Sequence, residues 1–213
     1  MSMTKNKKLA LVAVAVISAV IIADQAMKLW VKTHFYLGED LEIFSWFHLR
    51  FIQNNGMAFG IELGSKLFLT LFRIVLVGFL VWYIFKLVKS AKVPAGYMAS
   101  IALVTAGAFG NIVDCVFYGE IFTNPLPYAL AEFVPWGEGY GGIFHGYVVD
   151  MLYFPLFSFE WPDFIPLVGG KTFSFFDPVF NIADAAITTG MAIIILFYNK
   201  YLNFSTDKNE KAA

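Results

Sequence analysis

The chain has 213 residues, of which 59% are hydrophobic and 15% charged, with a formal net charge of −1; its mean hydropathy is +0.67. A soluble domain carries about a quarter charged residues, so this chain cannot coat itself for water, and it is too apolar for disorder. The charge balance offers no basic field for nucleic acid, and a single cysteine, Cys115, excludes an internal disulfide framework and a cysteine-based zinc cage. The composition points to an α-helical polytopic membrane protein, read as one membrane domain over residues 1–213.

A helix needs about 20 apolar residues to cross the bilayer core, and four windows qualify. The first runs over about 9–31, behind Lys5, Lys7 and Lys8. Those lysines give it the look of a secretory signal, but no small-residue cleavage site closes the run, so it is read as a retained span. An outer segment of about 38–66 follows, in which Leu41–Ile52 has strand-like alternation and many aromatics. The second span covers about 67–87 and the third about 95–117, with Lys86, Lys89 and Lys92 around their junction. A long outer segment of about 118–181 holds Trp136, Trp161 and Phe154-Pro-Leu-Phe-Ser-Phe159. The fourth span covers about 182–201, and Lys200, Lys208 and Lys211 lie at or after its end.

Four crossings put all these lysines on one side, which the positive-inside rule makes cytoplasmic. The long outer segment carries only Lys171 against Glu120, Glu132, Glu138, Glu160, Asp163 and Asp177. Both termini are therefore expected in the cytoplasm. The aromatic, proline-containing outer segments predict either interfacial anchors or a small β-containing extracytoplasmic cap.

Ionisable groups inside spans cost roughly 2.5–3.5 kcal/mol each on insertion scales, so each needs a reason. The first span holds Asp24, Gln25 and Lys28, the third Asn111 and Asp114, and the fourth opens with Asn181 and Asp184. On the four-span topology these groups converge at one depth, near the outer edge. Each also has a plain structural reading. Asp24 and Lys28, at i and i+4, can neutralise each other. Asn111 and Asp114, beside Gly107 and Gly110, can bridge closely packed helices. Asn181 and Asp184 form a helix-capping pattern. Asp150 has no basic neighbour in sequence and needs a partner from elsewhere, for which another carboxylate is one candidate.

Other chemistries find little support. His34, His48 and His145 are scattered and form no zinc-binding pair. There is no Gly-x-Ser-x-Gly elbow and no phosphate or dinucleotide loop. Ser65 and Lys66 are adjacent, so in regular structure they would not face each other as a dyad. Acid chemistry is left to the aspartates, with no metal and no cofactor expected.

Five motifs occur in order: Asp24-Gln-Ala-Met-Lys28, Asn54-Asn-Gly-Met-Ala-Phe-Gly60, Gly107-Ala-Phe-Gly-Asn-Ile-Val-Asp114, Val148-Val-Asp150 and Phe180-Asn-Ile-Ala-Asp184. Together they resemble the lipoprotein signal peptidases (signal peptidase II), aspartic proteases of the bacterial inner membrane. The resemblance implies that Asp150 and Asp184 are the catalytic pair. It implies supporting or substrate-contacting roles for Asp24, Lys28, Asn54, Gly107, Asn111 and Asn181, and a structural role for Asp114. It also implies a substrate: a prolipoprotein whose cysteine carries diacylglycerol, cut on the amino side of that cysteine at the periplasmic face. The expected partners are such substrates and membrane lipids, and the chain is expected to act as a monomer.

Two departures stand out. Where the family usually has arginine after its third-motif aspartate, this chain has Cys115, so that cation must come from elsewhere or be absent. The stretches from Asp114 to Asp150 and from Asp150 to Asp184 are also longer than is usual. Two rival readings are an ion-coupled transporter and a non-catalytic lipid-binding scaffold. Against the transporter, the acids cluster at one interface and no inverted repeat is visible. The scaffold reading requires that Asp150 and Asp184 tolerate asparagine.

Overall fold

The computed structural model describes residues 3–55 and 66–201. The second half of the Asn54–Gly60 motif, Ser65 and the lysines of the C-terminal tail lie outside the described residues.

Helix α1, Lys5–His34, contains neither proline nor glycine over 30 residues. At 1.5 Å per residue it rises about 45 Å, longer than the roughly 30 Å hydrocarbon core. Helix α2, Lys66–Ser90, ends where Ala91 takes a left-handed φ of 52°. Pro94 then caps helix α3, Ala95–Val113, its fixed φ suiting the entry to a helix. The chain continues through a π-type turn, Asp114–Tyr118, and a last turn, α4, Gly119–Ile121. The stretches Lys5–His34, Lys66–Ser90 and Ala95–Ile121 are each long and apolar enough to cross a membrane, and helix α5, Ile182–Phe197, is a shorter apolar helix.

Two of the expected spans differ in detail. The third is not one uniform α-helix. Its π-type turn carries Asp114, Cys115, Val116 and Tyr118, all in the interior. The fourth leaves α-helical geometry at Tyr198, and a 3-10 turn, Asn199–Tyr201, follows. The Tyr198 hydroxyl lies against Gly96, where even a Cβ would strike it.

Helix α3 is the centre of the bundle and the most buried of the long helices. One apolar core gathers Leu9, Ile84, Leu87, Tyr97, Met98 and Ile194 from four helices. A second, at the other end, joins Val31 and Phe35 to Phe51, Tyr118, Phe122 and Met151. Strands β1 (Asp40–Phe44), β2 (Phe47–Asn54) and β3 (Val148–Tyr153) form an antiparallel sheet in that order. Its register sets Ile52 opposite Asp150 and Asn54 opposite Val148. A separate hairpin pairs β4 (Phe157–Glu160) with β5 (Thr172–Phe175). The chain then returns to β3 through a bridge between Leu152 and Phe180.

The segment between α4 and β3 is irregular and packs on the end of α3. Gly146 makes this approach possible, since a Cβ there would strike the Asp114 carbonyl oxygen. The segment also closes over Lys32, whose fully buried ammonium lies 5.7, 5.1 and 5.2 Å from the rings of Tyr118, Phe122 and Tyr140. No hydrogen-bond acceptor among the described residues reaches that Nζ. Desolvated cation–π contacts of this kind are worth about 2 kcal/mol or more.

Helices α3 and α5 meet at Gly107, where a Cβ would strike the Ala183 carbonyl oxygen and come within 2.7 Å of Ile187 Cγ1. Backbone cannot swing aside as a side chain does, so Gly107→Val must push α5 outward. Overpacking of this kind costs about 1–3 kcal/mol. A lowered Tm in detergent is the expected result, and an unchanged Tm would mean that the two helices are not this close.

Candidate active site

The polar residues of the three apolar helices meet in one buried cluster. Asp24 and Lys28 are one turn apart on α1, and the Lys28 ammonium lies 2.8 Å from Asp24 Oδ2. The same Nζ lies 2.9 Å from Asp114 Oδ2 and donates to Asn111 Oδ1 at 2.9 Å, both on the α3 side. An ammonium has three donors, and all three are used. Gln25 ties the two carboxylates together, its Nε2 donating to Asp24 Oδ2 at 3.1 Å and to Asp114 Oδ1 at 2.9 Å. Its Oε1 accepts from the Tyr118 hydroxyl at 3.1 Å.

Each carboxylate has a further task. Asp24 Oδ1 accepts the Ala183 N–H at 2.9 Å, and Asp114 Oδ2 accepts the Val149 N–H at 3.2 Å. Those two amides belong to the residues immediately before Asp184 and Asp150. The ion cluster thus holds the backbone on which each candidate catalytic carboxylate is mounted.

Asparagines complete the arrangement. Asn181 caps α5, its Oδ1 accepting the Asp184 N–H at 2.9 Å. Its Nδ2 reaches Asp150 Oδ1 at 2.7 Å, Val149 O at 3.2 Å and Asn111 Oδ1 at 3.2 Å. Asn111 Nδ2 donates to Asp184 Oδ1 at 2.8 Å, and Asn54 Nδ2 donates to Asp150 Oδ2 at 3.1 Å. Asn111 and Asn181 therefore each hold one of the two carboxylates while touching each other.

The two carboxylates differ in setting. Asp150 lies on a buried strand and is 1% exposed. Burial, then the charge of neighbouring Asp184, pushes its pKa up to about 7, against the opposing hydrogen bond from Asn54. Asp184 is partly exposed and borders a cavity of about 380 Å3 with Phe176, Pro178, Phe180, Ala185 and Thr188. Among the described residues no three His, Cys, Asp or Glu side chains converge as a metal site.

All the residues singled out from the sequence belong to this network except Gly107, which packs α3 on α5. The sequence reading left four neighbours without a role. Gln25 and Tyr118 brace the ion cluster. Lys32 lies one turn beyond Lys28 on the same stripe as Asp24, and that spacing was the signal for it. Arg73 on α2 sends Nη1 to within 3.4 Å of Cys115 Sγ. A guanidinium thus does reach the place where the family usually carries its arginine, from a different helix.

The family model for "Signal peptidase (SPase) II" matches residues 16–200. A lipoprotein signal peptidase of Porphyromonas gingivalis is 43% identical over 196 residues, covering 92% of this chain and 86% of that one. The chain belongs to the signal peptidase II family. A second lipoprotein signal peptidase, from Amoebophilus asiaticus, is 37% identical over 182 residues, 83% of this chain and 72% of that one. The fold also resembles a bacterial membrane enzyme solved by the in meso method at 2.3 Å resolution. That likeness has a TM-score of 0.61, 24% identity and 92% coverage of both chains.

Two outcomes follow for this signal peptidase II chain. Lys28→Met removes the cation between two buried carboxylates, and breaking a buried pair in this way costs about 3–5 kcal/mol. Collapse of the folded fraction or a large fall in Tm is expected, and a Tm within a degree or two of the parent would refute the clamp. The second concerns pH. A carboxyl whose pKa is raised in the native state holds its proton more tightly folded than unfolded. Asp150 therefore imposes no penalty below the ordinary carboxylate range and destabilises the fold increasingly as pH climbs toward 7. At ~1.4 kcal/mol per pKa unit, Asp150→Asn should gain stability relative to the parent between pH 4.5 and 7.5, by about 4 kcal/mol at most. A Tm difference that is constant across that range would contradict the assignment.

Proposed function

We propose that this peptidase is an aspartic endopeptidase that removes the signal peptide from diacylglyceryl-modified prolipoproteins, cutting on the amino side of the lipidated cysteine. One observation carries the reading. Asp150 and Asp184, from a strand and a helix far apart in sequence, are held by one pair of touching asparagines beside an apolar cavity.

The charge of Asp184 raises the pKa of Asp150, and neighbouring carboxylates that repel in this way share a proton. Asp150, the buried member, keeps it and donates it to the scissile carbonyl oxygen. Asp184, open to the cavity, takes a proton from a water poised between the carboxylates, and that water attacks the carbonyl carbon. The tetrahedral diol collapses as Asp150 takes a proton back and Asp184 passes its own to the leaving amine. Asn111, Asn181 and Asn54 hold the carboxylate oxygens in register through these transfers. Asp24, Lys28 and Asp114 act through the backbone amides they fix, and Gly107 by letting α5 come close.

The topology in this proposal has four spans, both termini in the cytoplasm, and the site at the periplasmic face of the bacterial inner membrane. Helix α5 and its 3-10 turn together rise about 30 Å, enough for a fourth crossing. The positions of the basic residues support the orientation. Residues 1–213 are treated as one membrane domain, with the three-stranded sheet as its outer cap. A monomer suffices, since each group in the network comes from the same chain.

The test is a gel-shift assay with purified protein in detergent and a diacylglyceryl-modified prolipoprotein. Asp150→Asn and Asp184→Asn are each expected to lower turnover by about 3 orders of magnitude or more, because members of a catalytic unit do not contribute additively. Both variants should stay folded, and an unlipidated prolipoprotein should remain uncut. Normal cleavage by either variant would remove that residue from the mechanism.

A further inference from the structure

The β4–β5 hairpin is not used by the chemistry above. It occupies most of the extended stretch between the strand that carries Asp150 and the helix that carries Asp184. Its register pairs Phe157 with Phe175 and Phe159 with Phe173, while Ser158 pairs with Ser174 and Glu160 with Thr172. Directly opposed residues share a face, so one face is four phenylalanines and the other carries the Ser158 and Thr172 hydroxyls and the Glu160 carboxylate.

The two faces look onto different surroundings. Ser158 and Thr172, on the polar face, line an open cleft of about 400 Å3 with Glu42, Ser45 and His48 of the cap sheet. On the aromatic face Trp161 touches Phe159 and Phe173, and among the described residues the phenylalanines remain 54%, 41%, 39% and 46% exposed at 157, 159, 173 and 175. The tip is apolar as well: Phe164 is 83% and Leu167 92% exposed. A two-stranded hairpin is marginal in water on its own, so this face requires a covering.

The surface it joins identifies the covering. Beyond β5, Phe176 borders the same cavity as Thr188 and Thr189, residues about two turns into α5. The chain after the hairpin therefore hangs beside the outer turns of that helix. The outward side of α5 continues in exposed Met191, Ile195, Leu196 and Phe197, an apolar surface of the kind that faces lipid. The aromatic hairpin therefore joins the bundle next to that exposed apolar surface. Aromatic rings are favoured at the headgroup level.

We propose that the β4–β5 hairpin is a membrane-embedded paddle, with its phenylalanine face and its tip seated in the phospholipid of the leaflet beside the Asp184 cavity. Its two ends lead into β3 and α5, so the leaflet itself anchors the connection between the two carboxylates. Phospholipid is the occupant because the chain leaves the hairpin beside α5, whose outward side among the described residues is exposed and apolar.

The experiment reads depth and needs no turnover, so it stands apart from the proposed peptidase mechanism. Single nitroxide labels are placed at Phe157→Cys, Ser158→Cys, Phe159→Cys, Thr172→Cys, Phe173→Cys and Leu167→Cys in the full chain. These are exposed positions, and the native thiol, Cys115, is buried. The protein is reconstituted in nanodiscs of phosphatidylethanolamine and phosphatidylglycerol. Labels at 157, 159, 167 and 173 are expected to relax preferentially with oxygen, and those at 158 and 172 with an aqueous nickel chelate. The same alternation in an Asp184→Asn background would show that it is independent of catalysis. Nickel access at all six positions would overturn the proposal. So would protection from both reagents that vanishes at one chain per disc, which assigns the face to a second copy. Oxygen preference appearing only after a diacylglyceryl peptide is added would assign it to substrate instead, and would equally overturn the paddle.

Discussion

Everything at the sheet end of the bundle depends on one ammonium group. Lys28 stands between Asp24 and Asp114 and also donates to Asn111, so a single cation is paired within α1 and joins α1 to the α3 side at two points. In a low-dielectric interior neither carboxylate could stay ionised there alone. Beyond their contacts with Lys28, each carboxylate has lone pairs left over, and these take the Ala183 and Val149 amides. An unpaired amide in that environment would itself be costly. The cluster and the two backbone segments therefore stabilise one another, and the groups that would be most expensive in a membrane become the ones that fix its geometry.

That arrangement requires close approach of three helices, which is why glycine is placed where it is. A Cβ at Gly110 would lie 2.8 Å from Asp24 Oδ2, and one at Gly190 would lie 2.7 Å from the Ser100 carbonyl oxygen. Together with Gly107 these residues let α3 nest against α1 and α5. Helix association in lipid lacks the hydrophobic driving force available in water and relies on close packing and interhelical hydrogen bonds. The Gly107–Asp114 motif supplies both within two turns: glycines that allow contact, and an asparagine and an aspartate that use it.

The sequence was most legible where a residue violated its surroundings. Asp24, Lys28, Asn111, Asp114 and Asp184 stand out because apolar windows should not contain them, and a simple count of crossings brings them to one depth. Strand character in Leu41–Ile52 was visible as alternation, and β1 and β2 lie there. What could not be read were features decided by tertiary contact. The π-type turn at Asp114–Tyr118 adds a residue to a helix whose sequence is compatible with continuing regularly, and both Asp114 and Tyr118 there reach Gln25 of α1. Arg73 lies in a window apolar enough to hide it, and only the neighbouring helix reveals that it meets Cys115. The β4–β5 hairpin was seen as aromatic content but not as two faces, because its register depends on a pairing across an 11-residue connection, which local periodicity does not reveal.

The two proposed catalytic carboxylates are mounted on different kinds of element, and this bears on how one pair can hold both an acid and a base. Asp150 is on a strand buried on both faces, a setting that favours the neutral form. Asp184 is in the first turn of α5, where the helix dipole favours negative charge, and it opens onto a cavity. The amide donors are divided unequally: Asn181 and Asn54 donate to both oxygens of Asp150, opposing the effect of its burial, while Asn111 donates to one oxygen of Asp184. Asp150 is thereby fixed in orientation by two partners, while its burial and the neighbouring carboxylate supply the preference for the proton. Asp184 keeps an oxygen that none of these asparagines holds, as a base that must engage a water requires. The asymmetry follows from strand, helix end and asparagine placement, and it needs no charged residue beyond the pair and the cluster behind it.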